Sequence, residues 1–145
     1  MDDHLGARYC CSLLMSYEVS ATVLEVHDGD TVHLQVSRRF QLPIDPWFAM
    51  QATISYDWSH DVKCRLARIN APEIATPTGA ASRDGLIDLL AKGTLRVVVA
   101  TRDKFDRPLA EIFVKPVTGA EFNVSDRMVA AGLAKHWDGR GPKPV

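Results

Sequence analysis

A chain of 145 residues with 46% hydrophobic and 24% charged residues has room for one domain with a real core, not two, and such a composition excludes a mainly disordered or membrane-spanning chain. The formal net charge of -1 supplies no global positive field for nucleic acid, although a local basic cleft can hide inside a neutral total. Three cysteines, with Cys10 and Cys11 adjacent, cannot form a disulfide framework without leaving one thiol over, so a reducing compartment is expected.

The first segment, "MDDHLGARYCCSLLM", has an acidic start and only a short apolar patch, fitting neither a secretory signal nor a membrane span. Residues 1–17 are expected to be a flexible extension, with Met15 as a second possible start, and the protein to be cytoplasmic, off the membrane and monomeric. The stretch "EVSATVLEVH" (18–27) alternates and is β-branched, predicting a strand, and "TVHLQV" (31–36) predicts its hairpin partner. The intervening Asp-Gly is a strong turn signal. Between 38 and 61 the pattern dissolves, with Trp47 and Trp58 among prolines and polar residues, which suggests an extended hairpin arm or insertion on the surface.

"VKCRLARI" (62–69) predicts a third strand, apolar on both parities and so covered on both faces. Cys64 within it reads as a small buried hydrophobe. A loop, "NAPEIATPT", leads to a helix over about 79–92, capped by Thr76 or Thr78, with Ala80, Leu86, Leu89 and Leu90 as its apolar positions and Gly93 as its stop. "TLRVVVAT" (94–101) and "PLAEIFV" (108–114) predict the fourth and fifth strands, joined by "RDKFDR". A short helix follows, capped by Asn123 or Ser125, carrying Met128 and Val129 and ending near Gly132. The tail over 139–145 is turn-rich and expected to be loose. Three strands, a helix, two strands and a helix make a mainly β chain, and the expected fold is a five-stranded Greek-key barrel of the OB type over 18–138, with an extended hairpin arm and two or three helices.

The chemistry begins with crowding. "VHDGDTV" (26–32) holds Asp28 and Asp30 around one glycine, where like charges repel. Arg65 falls on the parity of Ala67 and Ile69, so its charge must reach solvent or a carboxylate; Glu73, or the Asp28/Asp30 turn, is the nearest supply. Taken singly, such an arginine is more often half of a structural ion pair than part of a site. "RDKFDR" carries Asp103, Lys104, Asp106 and Arg107 where a plain turn would need one such residue. Together these groups match what phosphodiester hydrolysis requires: carboxylates for a hard cation, a glutamate for water, and two forked guanidiniums for the charge growing on phosphate oxygens. Two crowded acids are tolerable if a divalent cation and an arginine share their field.

In succession, "VLEVHDGDTVHL", "CRLARINAPE", "DKFDRPLAEIFV" and "MVAAGLAK" resemble the motifs of the staphylococcal nuclease-like (thermonuclease) family, from about Thr22 to Lys135, interrupted by the long second hairpin. The resemblance implies an OB-fold and calcium-dependent hydrolysis of DNA and RNA, with magnesium or manganese as alternatives to calcium. By position it implies Asp30 as principal metal carboxylate, with Asn70 and the Ala71 carbonyl beside it and Asp28 as a supporting acid. It implies Glu73 as the residue that positions or deprotonates water, and Arg65 and Arg107 as phosphate clamps. Lys104 and Phe105 match positions bordering the nucleotide, where a ring can stack on a base.

This chain departs from the family in carrying Asn70 and Ala71 where aspartate and threonine are usual, and Asp106 where glycine usually precedes the arginine. Asn70 removes one formal negative charge, on which cation affinity depends; Asp106 belongs to the residues that tolerate left-handed backbone. The loss at Asn70 favours a rival reading, a non-catalytic OB-fold module that binds nucleic acid or protein. His27 and His33 fit no metal-ligand spacing and read as polar surface. Trp47 and Trp58 read first as anchors packing the arm onto the barrel, and second as stacking platforms.

Overall fold

A two-residue connection, Gly29 and Asp30, sets the register of the strands that follow. The computed structural model describes residues 17–44 and 52–144. Its elements in chain order are β1 (Tyr17–Asp28), β2 (Thr31–Ile44), β3 (Ala52–Leu66), β4 (Ile69–Asn70), α1 (Pro77–Leu90), β5 (Gly93–Arg102), β6 (Pro108–Pro116), β7 (Phe122–Asn123), α2 (Val124–Ala130) and β8 (Lys135–His136). The predicted strands are all present. The alternating apolar residues of β1 and β2 pair antiparallel, with Asp28 opposite Thr31. β1 also pairs with β5, and β5 with β6. A short parallel contact, Arg65 with Leu109 and Leu66 with Ala110, joins β3 to β6 and closes a five-stranded barrel. This is the expected OB-type barrel, with two helices.

Period-2 alternation explains the core. Val32, Leu34, Val97, Ile112 and Val114 point inward and are fully buried, and Leu86 of α1 and Met128 of α2 plug the barrel from outside the sheet. Each such side chain contributes on the order of 1.5–3 kcal/mol by leaving water. Cys64 is buried among them, and burial pushes its thiol up to about 11. Among the described residues no helix is long and apolar enough to cross a membrane.

The expected hairpin arm over 38–61 is present, and three other expectations need correction. The stretch over 38–61 is regular over its described part: β2 and β3 stay in register out to Ile44 opposite Ala52, forming a two-stranded arm. Cross-strand hydrogen bonding held it together where apolar alternation gave no signal; Trp47 lies outside the described residues. The third strand ends at Leu66, because Arg68 adopts a left-handed φ of 67°, so Arg65 does not share a strand face with Ala67 and Ile69. Helix α1 starts at Pro77 and ends at Leu90, with the Thr76 hydroxyl accepting from the Gly79 N–H at 3.0 Å; Ala80 is exposed. Gly93 is the first residue of β5 rather than the helix stop. A Cβ there would lie 1.9 Å from the Lys115 carbonyl oxygen, so close approach of β6 selects glycine.

Candidate active site

The hairpin turn places its two acids by ordinary backbone chemistry. The Asp28 carboxylate accepts the Asp30 N–H at 3.1 Å, and the Asp30 carbonyl accepts the Leu66 N–H at 2.8 Å, fastening the turn to the end of β3. Gly29 between them is required by space: a Cβ would lie 1.9 Å from the Ser82 hydroxyl of α1 and 2.7 Å from the Ala71 methyl. The turn is therefore clamped between helix and loop, and Asp30 is pressed into the barrel rim with only 8% of its surface exposed.

Arg65 meets it there. The Thr31–Arg65 pairing of β2 with β3 lets Arg65 Nη2 donate to Asp30 Oδ2 at 3.2 Å and to Asn70 Oδ1 at 3.1 Å. The Ala71 N–H donates to the same Asp30 oxygen at 3.1 Å, and the Thr31 hydroxyl to the other at 3.2 Å. Burial raises the Asp30 carboxyl above the ordinary aspartate range; the Ala71 amide and the Arg65 guanidinium oppose this, and the like charge of Asp28 adds to it. One arginine does not fully compensate two crowded carboxylates.

Arg107 and Glu73 arrive from separate loops. In the β5–β6 connection Asp106 takes the left-handed φ of 62° that a glycine would otherwise supply. Asp103 gathers that turn: its carboxylate accepts the Phe105 and Arg107 N–H groups at 2.8 and 3.0 Å and the Arg107 Nε–H at 2.8 Å. Burial pushes the Asp103 carboxyl up, but these bonds outweigh it and hold it below the ordinary range. Glu73 is fixed through its backbone, whose carbonyl accepts the Thr76 N–H at 3.0 Å and hydroxyl at 2.7 Å. Its own carboxylate is exposed and makes no hydrogen bond or ion pair among the described residues.

Asp28, Asp30, Arg65, Asn70, Ala71, Glu73 and Arg107 line one cavity of about 160 Å³ at the rim, together with Lys143. Lys104 and Phe105 lie outside it, in an adjoining cleft of about 240 Å³ that also includes Arg65, Trp137 and Lys143. Phe105 is 66% exposed, with the guanidinium of Arg107 5.4 Å from its ring centre. Asp28, Asp30, Arg65, Asn70, Ala71, Glu73, Lys104, Phe105 and Arg107 thus all fall on one of two adjoining hollows, whereas Asp106 lines neither. A larger cavity, about 720 Å³, opens elsewhere, on the sheet face beside the arm. Trp58 borders it and stacks on His60 of its own strand at 5.9 Å, instead of anchoring the arm in the core. His27 and His33 line neither hollow of the rim.

Among the described residues no group of three or more His, Cys, Asp and Glu side chains is arranged to hold a metal. The donors on hand, the Asp28 and Asp30 carboxylates and the Asn70 amide, are hard oxygens on a shared cavity. They suit a hard divalent cation that keeps part of its water shell, and poorly suit a soft metal.

The role of Asp103 and the presence of Trp137 and Lys143 at the rim were not read from sequence. Asp103, which holds Arg107, was legible as an acid four residues before an arginine in "DKFDR". Trp137 and Lys143 were not, because they reach the rim only through tertiary contacts. The left-handed Arg68, whose side chain pairs with Glu111 at 2.6 Å and Asp126 at 3.0 Å, offers its carbonyl to the Trp137 N–H at 2.8 Å. This brings the Trp137 ring centre to 5.1 Å from the Arg65 guanidinium, and β8 pairs with β4 alongside.

Residues 63–143 match the model of the staphylococcal nuclease homologue family, a span that begins after the Asp28–Asp30 turn. A protein named "Uncharacterized endonuclease" from Escherichia coli O157:H7 is 27% identical over 128 residues, covering 88% of this chain and 67% of that protein. Its Escherichia coli counterpart of the same name matches with the same identity and coverage.

Proposed function

The chain belongs to the staphylococcal nuclease homologue family, and from that premise we propose that it is a metal-dependent nuclease, with calcium as the first candidate, hydrolysing phosphodiester bonds in DNA, RNA or both. One observation supports this more than any other. Asp30, Arg65, Glu73 and Arg107 come from four separate segments and meet around a single small polar cavity.

Asp28, Asp30, Asn70 and the Ala71 carbonyl are the groups that would hold the cation, which when bound supplies positive charge to a phosphoryl oxygen and to water. The protein's own groups account for the rest. Glu73, exposed and unpaired among the described residues, takes the proton of the attacking water. Arg65 and Arg107 face the same cavity and stabilise charge developing on the equatorial phosphate oxygens; Arg107 is pre-aimed by Asp103 and so loses little freedom on binding. Phe105 offers an exposed ring for a base beside the cleaved bond.

Digestion of defined DNA and RNA strands in calcium, magnesium, manganese and chelator tests the reading, with Glu73→Gln as the inert control. Metal-dependent cleavage lost in Glu73→Gln supports it. Asn70 gives the rival its footing, since an amide replaces an acid at a cation position. Strand binding without cleavage in every metal would favour the non-catalytic module.

A further inference from the structure

The rim cavity contains a cation that the hydrolytic roles do not use. Lys143 lies 70 residues and more from the acids in sequence, yet it borders both the acid cavity and the Phe105/Trp137 cleft. Its position has a visible cause. Asn70 Nδ2 donates to the carbonyl of the next residue, Pro144, at 3.3 Å, while Asn70 Oδ1 accepts from Arg65. An aspartate at position 70 has no N–H and could not make the Pro144 bond. The amide that costs the site a negative charge therefore also ties the 143–144 segment to the rim.

The second observation is electrostatic. Asp28, Asp30 and Glu73 line the same cavity as Lys143, and a lysine among acids ordinarily forms an ion pair. Among the described residues Lys143 makes none. Its ammonium is exposed, already beside the site, and has no internal bond to break before meeting an incoming anion.

We infer that Lys143 is a strand-binding residue for a polynucleotide, contacting the phosphate next to the one held between Arg65 and Arg107, on the Phe105/Trp137 side. A strand with one phosphate in the acid cavity and its neighbouring nucleotide in the adjoining cleft has to pass the Lys143 ammonium, which borders both. The inference rests on the nuclease reading for the direction of the strand, but it concerns binding and is measured without cleavage.

The test is fluorescence anisotropy of a labelled oligothymidylate, in calcium, with Glu73→Gln protein so that the strand stays intact. Adding Lys143→Ala should weaken binding about fivefold near 0.1 M salt and flatten the slope of log K against log salt by about 0.7, the signature of one lost phosphate contact on a single strand. Lys143→Arg should keep the slope. Lys115→Ala, on the far sheet face, should change neither. An unchanged slope in Lys143→Ala, tighter binding in that variant, or no binding of the strand at all would overturn the inference. Failure of the nuclease reading would be seen separately, as wild-type protein that binds the strand and cleaves it in no metal.

Discussion

The barrel rim and the groove beside the arm are both lined with charge, and they handle it in opposite ways. In the groove, Arg39 pairs with Asp57 at 2.7 Å and Arg96 with Glu18 at 3.1 Å and with Glu121. These pairs sit in solvent, where screening leaves them little energetic weight. At the rim, Asp30 is buried with a like charge beside it, and Glu73 and Lys143 have no side-chain partner among the described residues. The groove is the larger hollow, about 720 Å³ against about 160 Å³. Size is thus a poor guide to chemistry in this molecule; incomplete compensation of charge is the better one, because it leaves an interaction for a ligand to complete.

The largest expected contrast between the two regions is in cleavage. Glu73→Gln or Arg107→Ala should lower the rate of strand cleavage in calcium by a factor of about 10² or more, since each removes a group acting on the transition state. Trp58→Ala, in the groove, should leave it within about twofold, a bound chosen from how little remote exposed contacts usually matter. Loss of activity in Trp58→Ala with circular dichroism unchanged would break the comparison.

Stability gives the next contrast. Arg65→Ala strands Asp30 in the rim without its counter-ion and should cost about 3 kcal/mol in urea unfolding, the usual penalty for orphaning a buried charge. Arg39→Ala should leave the urea midpoint nearly unmoved, because its pair is exposed. Cation binding sharpens the point further: calcium at a hundred times its dissociation constant should stabilise the wild-type protein by about 2.7 kcal/mol, and Asp30→Asn should abolish that shift in a thermal melt.

The smallest effect belongs to Asp103. Its carboxyl is held below 3.8 in the folded protein, so the stability it contributes is full above that ordinary value and fades as pH falls through the lower folded one. Asp103→Asn should therefore be less stable than wild type at pH 7, with the two midpoints converging in acid. A gap that stayed constant down to pH 2 would show that the Asp103 contribution does not depend on its charge.

Much of the rim was legible because its key residues sit in short local motifs with conspicuous chemistry. "DGD" betrays itself by repulsion, and "DKFDR" by carrying more charge than a turn needs. Asp106 in the left-handed region is of the same kind: a local conformational demand met by a residue able to meet it. The arm was only half legible. Its strands are held by pairing with each other more than by a buried face, so the apolar alternation that marks β1 faded even though the ladder persisted. The end of β3 was misread because a non-glycine residue, Arg68, turns left-handed, its side chain bound to Glu111 and Asp126. Nothing at positions 67–69 alone announces that.

The amino-acid order by itself determined a mainly β fold, the sequence of its strands and helices, and which acids and arginines were available for chemistry, because period, turn residues and crowded charge act over a few neighbouring positions. The tertiary structure alone decided that the 143–144 segment is tied to Asn70, that Trp137 lies over Arg65, and that the acids and arginines face one cavity. Those outcomes depend on barrel closure through the β3–β6 contact and on the β4–β8 pairing, which join residues dozens of positions apart and leave no local pattern to read.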